Sequence, residues 1–116
     1  GLKIWVGKGA AENEKLTFSY AHGSDWWFHV EHLPGSHVVI HLPKNQEPDP
    51  ESIKDAAQLA LYYSKAKERG EAEVCMTQCK FVSKFGKGKV GKVQLSKYKT
   101  LFIKQDPERF QRLKKA

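Results

Sequence analysis

The sequence predicts an α+β domain, a mostly antiparallel mixed sheet with one long helix over about 50–69 packed on it, plus short helices. Three observations point there. Short alternating or β-branched runs bounded by turn residues recur along the chain, as strands do. One stretch, opening at Asp49-Pro50-Glu51, carries the capping residues and small-residue spacing of a helix. No repeat, linker or low-complexity tract interrupts the 116 residues, so length predicts a single domain over 1–116.

The first run, Leu2-Lys3-Ile4-Trp5-Val6, alternates and stops at Gly7, which predicts a strand. Asn13 is placed to cap a short helix over 14–22, with Gly23 as its left-handed end. A strand over Leu16–Tyr20 is the open alternative, because Thr, Phe and Tyr favour sheets.

Two strands follow. Trp26, Phe28 and Val30 share one face of the first; Val38, Ile40 and Leu42 share one face of the second. If the strands pair, both apolar sets lie on the same side only when partner numbers sum to an even value. A two-residue turn at Pro34-Gly35 gives an odd sum, so parity predicts an odd loop or a bulge at Pro34-Gly35-Ser36. A three-residue loop would set 33 against 37, 30 against 40 and His29 against His41. The other face then holds Trp27 beside histidines, which a core alone does not require.

Pro43 to Pro50 is a polar turn region. Asp49 supplies an N-cap, Pro50 the first helical position and Glu51 an acid in the first turn. Ile53, Ala56, Ala57, Ala60, Tyr63 and Ser64 form a small-residue stripe suited to close packing on a sheet, and Gly70 ends the helix. Strands are predicted at Val74–Val82, Lys92–Ser96 and Thr100–Lys104, and a terminal helix at Pro107–Lys114.

Hydrophobic residues make up 40% of the chain, enough for a packed core, yet no apolar run approaches the roughly 18 residues of a membrane span. Gly1-Leu2-Lys3 has neither signal-peptide architecture nor an initiating Met, which suggests a domain cut from something longer. Cys75 and Cys79, on one strand, would stand about 13 Å apart at ~3.3 Å per residue. That is too far for a disulfide or a shared metal, so they are expected as reduced interior thiols of a cytoplasmic protein.

The net charge of +7 is unevenly distributed. Residues 1–73 hold 8 basic and 11 acidic side chains, residues 74–104 hold 8 lysines and no acid, and residues 105–116 hold 4 basic and 2 acidic. Concentrated cation attracts phosphate and releases its counterions, so this asymmetry suggests a polyanionic partner. Gly86-Lys87-Gly88-Lys89-Val90-Gly91-Lys92 approaches a nucleotide-binding P-loop. It fails at Val93, which has no hydroxyl for magnesium, and because a strand follows. A basic loop that meets a nucleic-acid backbone fits better.

His29, His37 and His41, with Asp25 and Glu31 nearby, leave three readings open: a shared metal, loop-fixing hydrogen bonds, or stacking with Trp27 on unpaired bases. Ser36 and His37 are strand neighbours that point apart, which disfavours a nucleophile pair. A small metal-dependent or hydrolytic enzyme on the His29/His37/His41 face, and a protein-interaction module, stand as alternatives to RNA binding.

Asp25, Trp27-Phe28-His29-Val30, Pro34-Gly35-Ser36-His37-Val38, Ala57-Gln58-Leu59-Ala60 and Tyr62-Tyr63-Ser64-Lys65-Ala66 resemble the NFACT-R (NFACT RNA-binding) domain. Val6-Gly7, Asn13 and Leu16-Thr17 agree with its opening, and Lys99-Thr100-Leu101 with its last strand. The basic loop departs from the family's K-P-x-G-A-K-P-G-x-V pattern: Lys84, Lys89, Gly91 and Val93 match, while Phe85 and Val90 replace the prolines. The resemblance implies a non-catalytic RNA-binding module of translation or ribosome-associated quality control. Such modules are found at the end of RqcH-type proteins, some relatives of which are described as fibronectin-binding. The implied partners are transfer RNA, large-subunit ribosomal RNA, the ribosome and other domains of a longer NFACT protein, with no membrane, cofactor or metal. On this reading Lys80, Lys84, Lys87, Lys89, Lys92, Lys97 and Lys99 contact phosphates, and Trp27, His29, Ser36 and His37 line the turn side of the site.

Overall fold

The computed structural model describes residues 3–44, 46–85 and 92–115. Lys87 and Lys89 lie outside the described residues. The architecture is α+β. A five-stranded antiparallel sheet has the order β1-β3-β2-β4-β7, built from β1 (Ile4–Val6), β2 (Trp26–Val30), β3 (Val38–Ile40), β4 (Glu71–Gln78) and β7 (Lys99–Lys104). A separate two-stranded ribbon pairs β5 (Val82–Lys84) with β6 (Val93–Leu95). The helices are α1 (Ala10–Lys15), α2 (Pro50–Tyr62) and α3 (Pro107–Lys115).

The alternating pattern builds two cores. Phe28, Val30, Val38, Ile40 and Val74 lie on the side covered by α2, where Ala56, Ala57 and Ala60 are fully buried. Alanines let the helix approach the sheet closely, and each large side chain removed from water contributes about 1.5–3 kcal/mol. On the other side Trp27, Val39 and Cys75 pack beneath Leu16, Cys79 and Val82. Behind α2, Gln58 donates to the Lys104 carbonyl (2.6 Å) and accepts from the Asp106 amide (3.0 Å). Tyr62 stacks on Phe110, so α3 docks on α2.

The strand pair β2–β3 has the even parity that its apolar faces demand, but in a different register. Trp26 faces Ile40, Trp27 faces Val39 and Phe28 faces Val38. Beyond Phe28 the strands separate into a wide loop, and β2 continues on β4 alone, so His29 lies opposite Cys75 and not His41. The reason is tertiary. The loop tip pairs with the exit of α2 instead of closing a hairpin: Gly35 bridges Ser64, the Ser36 amide donates to Tyr63 O (2.9 Å) and the Lys65 amide to Pro34 O (3.0 Å). A Cβ on Gly35 would come within 2.7 Å of Ser64 Cβ, so only glycine permits this approach. His32 takes the left-handed conformation (φ 62) that turns the loop.

The same bridge shortens the long helix. The 50–69 helix ends at Tyr62, because Tyr63 leaves helical geometry and Ser64 enters the bridge. A separate 3₁₀ turn, Lys67–Arg69, closes at Gly70 in the left-handed conformation (φ 73). The first helix also differs. It starts after Gly9 and runs through a π turn, Leu16–Tyr20, rather than over 14–22, so the strand alternative there is excluded. Asn13 is an interior residue of it and not its cap. The predicted Val74–Val82 strand breaks at a 3₁₀ turn, Cys79–Phe81, where the Cys79 amide donates to Asp25 O (2.8 Å) and the Lys80 amide to Gly23 O (3.1 Å).

Candidate nucleic-acid interface

Asn13 explains why the Pro34–His37 loop holds its shape. Its Nδ2 donates to Gly35 O (3.2 Å) and its Oδ1 accepts from the His37 amide (3.0 Å). The π turn beside it brings Thr17 Oγ1 within 2.7 Å of His37 Nδ1, and the Gly7 amide donates to His37 O (2.9 Å). His37 is thereby buried and fixed on several sides. The rings of Trp27 and His29 stack at 5.7 Å, and both meet His37 edge-on, at 5.0 and 5.4 Å.

These residues line an open cleft of about 1250 Å³ between the wide loop, the exit of α2 and the β5–β6 ribbon. Trp27, His29, Ser36, His37 and Lys92 all reach it. The sequence expectation of an exposed tryptophan does not hold: Trp27 is 1% exposed, because the π turn and ribbon pack over its face of the sheet. Among the described residues its Nε1–H has no acceptor, an omission that costs about 1–3 kcal/mol in a folded protein. Ser36 is 6% exposed, and among the described residues its hydroxyl has no hydrogen-bond partner. Burial holds the His29 imidazole below its ordinary range, against backbone hydrogen bonds at Gly35 and Val30 that favour the charged form. The buried floor is therefore aromatic and neutral, while Lys8, Lys65 and Lys92 at the cleft are exposed cations that outnumber Glu31, the one acid among its described lining residues.

The other predicted lysines lie elsewhere. Lys80 and Lys97 both stand over the Phe81 ring, at 5.3 and 5.6 Å, and Lys80 also borders a smaller pocket beside Trp26. Lys84 pairs with Glu14 (3.1 Å), and Lys99 pairs in register with Met76. The structure thus brings the turn residues and Lys92 together and spreads Lys80, Lys84, Lys97 and Lys99 over neighbouring surface. Sequence reasoning missed Lys8, Lys65 and Tyr98 at the cleft. The triplet Lys97-Tyr98-Lys99, an aromatic between two cations in a turn, was the signal for Tyr98.

Of the three predicted histidines, only His29 and His37 come together. His41 lies apart from the cleft, stacked on Trp5, with Nδ1 3.0 Å from Asp25 Oδ1 but out of line for a hydrogen bond. Asp25 is fully buried and accepts from the His22 and Leu42 amides (2.9 and 3.0 Å), so it ties together the entry of β2 and the end of β3. The expected His29–His41 pair is thus broken by the register. Among the described residues no group of three His, Cys, Asp or Glu could hold a metal. Burial pushes both thiols up to about 12, helped at Cys75 by a hydrogen bond to Glu31 and at Cys79 by the Asp25 charge.

An aromatic-floored cleft with cationic side chains, carried on an α+β sheet, has the chemistry of a binding face for an anionic partner with flat groups. Residues 1–97 match the family described as the NFACT protein RNA binding domain, and the chain belongs to that family. It is 40% identical over 116 residues to the Rqc2 homolog RqcH of Bacillus subtilis (strain 168), covering 100% of this chain and 20% of that protein. It is 39% identical over 111 residues to the Rqc2 homolog RqcH of Streptococcus suis (strain 05ZYH33), covering 96% and 20%. The chain therefore spans about a fifth of the length of the curated relatives it matches. It also superposes on the solved C-terminal structure of the fibronectin/fibrinogen-binding protein from Streptococcus suis with a TM-score of 0.84 and 38% identity, covering 94% of this chain and 43% of that one.

Proposed function

We propose that the chain is a non-catalytic RNA-binding domain of translation or ribosome-associated quality control, working in the cytoplasm on transfer RNA or large-subunit ribosomal RNA at the ribosome. On this reading the 116 residues are one domain that works beside the other domains of a longer NFACT protein. One observation carries the reading: the basic side chains divide into two populations. Arg109 is held by Asp55 (2.8 Å) and Glu51 (3.0 Å), Arg112 by Asp55 (2.9 Å) and Lys54 by Glu51 (3.5 Å). Lys80, Lys92, Lys97 and Lys99 are exposed and make no ion pair among the described residues. Cations left unpaired along one acid-free segment are available to phosphates. Family membership supplies the class of ligand.

The test is RNA binding as a function of salt. Replacing Lys80, Lys92, Lys97 and Lys99 by Ala should weaken binding and flatten log K against log salt by about 0.7–0.9 for each phosphate that is no longer neutralised. An unchanged slope refutes the assignment of these lysines. Crosslinking in cells with sequencing of the bound RNA tests the transfer and large-subunit RNA assignment. A protein-interaction role has one observation in its favour, Phe102, which stands 61% exposed on the edge strand β7. Retention of a ribosomal partner after nuclease treatment, abolished in Phe102→Lys, would support it.

A further inference from the structure

One half-exposed aromatic ring at the cleft has no hydrogen-bond or ring partner among the described residues. It is Tyr98, which is 50% exposed. The other tyrosines of the cleft are engaged: Tyr62 lies between Phe110 and the Lys67 ammonium, and Tyr63 lies under Lys8. Tyr98 is flanked in sequence by the exposed Lys97 and Lys99. The cleft is also lined by Ser36, a 6% exposed residue whose hydroxyl has no hydrogen-bond partner among the described residues, while the unpartnered Trp27 Nε1–H is buried beneath it.

We infer that this cleft is a subsite for an unpaired nucleotide, with a base stacked on Tyr98, its polar edge directed at Ser36 and its phosphates at the surrounding lysines. The inference rests on the RNA-binding reading and deepens it. A duplex keeps its base faces stacked and its edges paired, so it can offer only its backbone to the lysines. An extruded or single-stranded base has a free π-face for an aromatic ring and free carbonyl and ring-nitrogen acceptors for a hydroxyl. Neutral polar groups inside and cations outside match the order of base and phosphate in a nucleotide. Phosphate alone would leave the aromatic wall and Ser36 without a role, and an acidic peptide would leave the flat Tyr98 face unused.

The experiment compares a labelled mixed-sequence RNA strand with the same strand annealed to its complement, by fluorescence anisotropy on the full chain. Single-strand affinity should exceed duplex affinity. Tyr98→Ala should lower single-strand affinity by about five- to a hundredfold and leave duplex affinity unchanged, and Tyr98→Phe should retain it. Ser36→Ala, which keeps the backbone bond to Tyr63, should lower single-strand affinity by about two- to tenfold. Because Tyr98 makes no hydrogen bond or ring contact among the described residues, Tyr98→Ala should melt within a few degrees of the parent, and that melt separates lost binding from a folding defect. Equal single-strand affinity in Tyr98→Ala and the parent, or an equal loss on duplex, overturns the subsite and leaves RNA binding standing. Failure of the parent to bind either RNA overturns the RNA reading and the subsite with it.

Discussion

Asn13→Ala is the most informative perturbation of the scaffold. Asn13 is 5% exposed and joins α1 to a loop 22 to 24 residues away through two hydrogen bonds, to Gly35 O and from the His37 amide. Removing the carboxamide forfeits both, at about 0.5–1 kcal/mol each. It also takes the Oδ1 acceptor away from the amide of His37, a 1% exposed residue, which adds about 1–2 kcal/mol. The expected cost is about 2–4 kcal/mol. For a 116-residue chain, with an unfolding entropy near 2.1 cal/mol/K per residue, that lowers the melting temperature by roughly 8–16 °C. Circular dichroism melts, paired with urea titration, measure both quantities. RNA affinity, taken below the variant's transition, should fall as well, because Ser36 lies between the two anchored residues. A loss below about 1 kcal/mol would show that Thr17, Tyr63 and Gly7 hold the loop without Asn13, and would refute this account of the cleft's rigidity.

Gly35→Ala should cost about 1–3 kcal/mol in urea unfolding, because its Cβ collides with Ser64 and must push the loop off the α2 exit. His29 is held below its ordinary value of 6.5, so the folded state favours the neutral ring. Its contribution is complete above that pH and is lost as pH falls below it, toward the folded-state value. His29→Asn should flatten the acid-side slope of stability by about one proton, and an unchanged slope between about pH 7 and pH 5 assigns the titration to another group. Cys75 and Cys79, pushed up to about 12, should resist iodoacetamide in the native chain and react fully in urea. Rapid native labelling at about pH 8 would contradict their burial.

What could be read from the sequence was local. Asp49 accepts from the Ser52 amide and hydroxyl, so the start of α2 is written in neighbouring residues. Hydrophobic parity set the faces of β2 and β3, since a one-residue slip would have turned Phe28 and Ile40 toward different sides. The register itself was not legible, because the loop tip makes its bonds to Tyr63, Ser64 and Lys65 and not across its own hairpin. Local spacing gives Asn13 a capping role for the same reason: its true partners are distant in sequence. Tyr98 is hard to single out because an aromatic next to a predicted strand suggests core, and only its half-exposed position separates the two roles.

The cleft and the helical pair α2–α3 divide the chain's electrostatics. At α2–α3, acids and bases neutralise one another. The outer partners Glu51 and Arg112 are exposed, so their pairs are screened by salt and contribute little individually. Arg109–Asp55, at 14% and 15% exposure, is screened less, and the fold should depend only weakly on ionic strength. The free lysines behave in the opposite way, because their interaction with a polyanion is driven by counterion release and falls steeply with salt. Between the two stands a neutral floor: His29 is kept uncharged by burial, and Ser36 and Trp27 carry no charge. A site built only to attract phosphate would have no need of that floor. Salt should therefore remove the attraction common to every RNA and leave behind a residual preference for unpaired bases that Tyr98 and Ser36 supply.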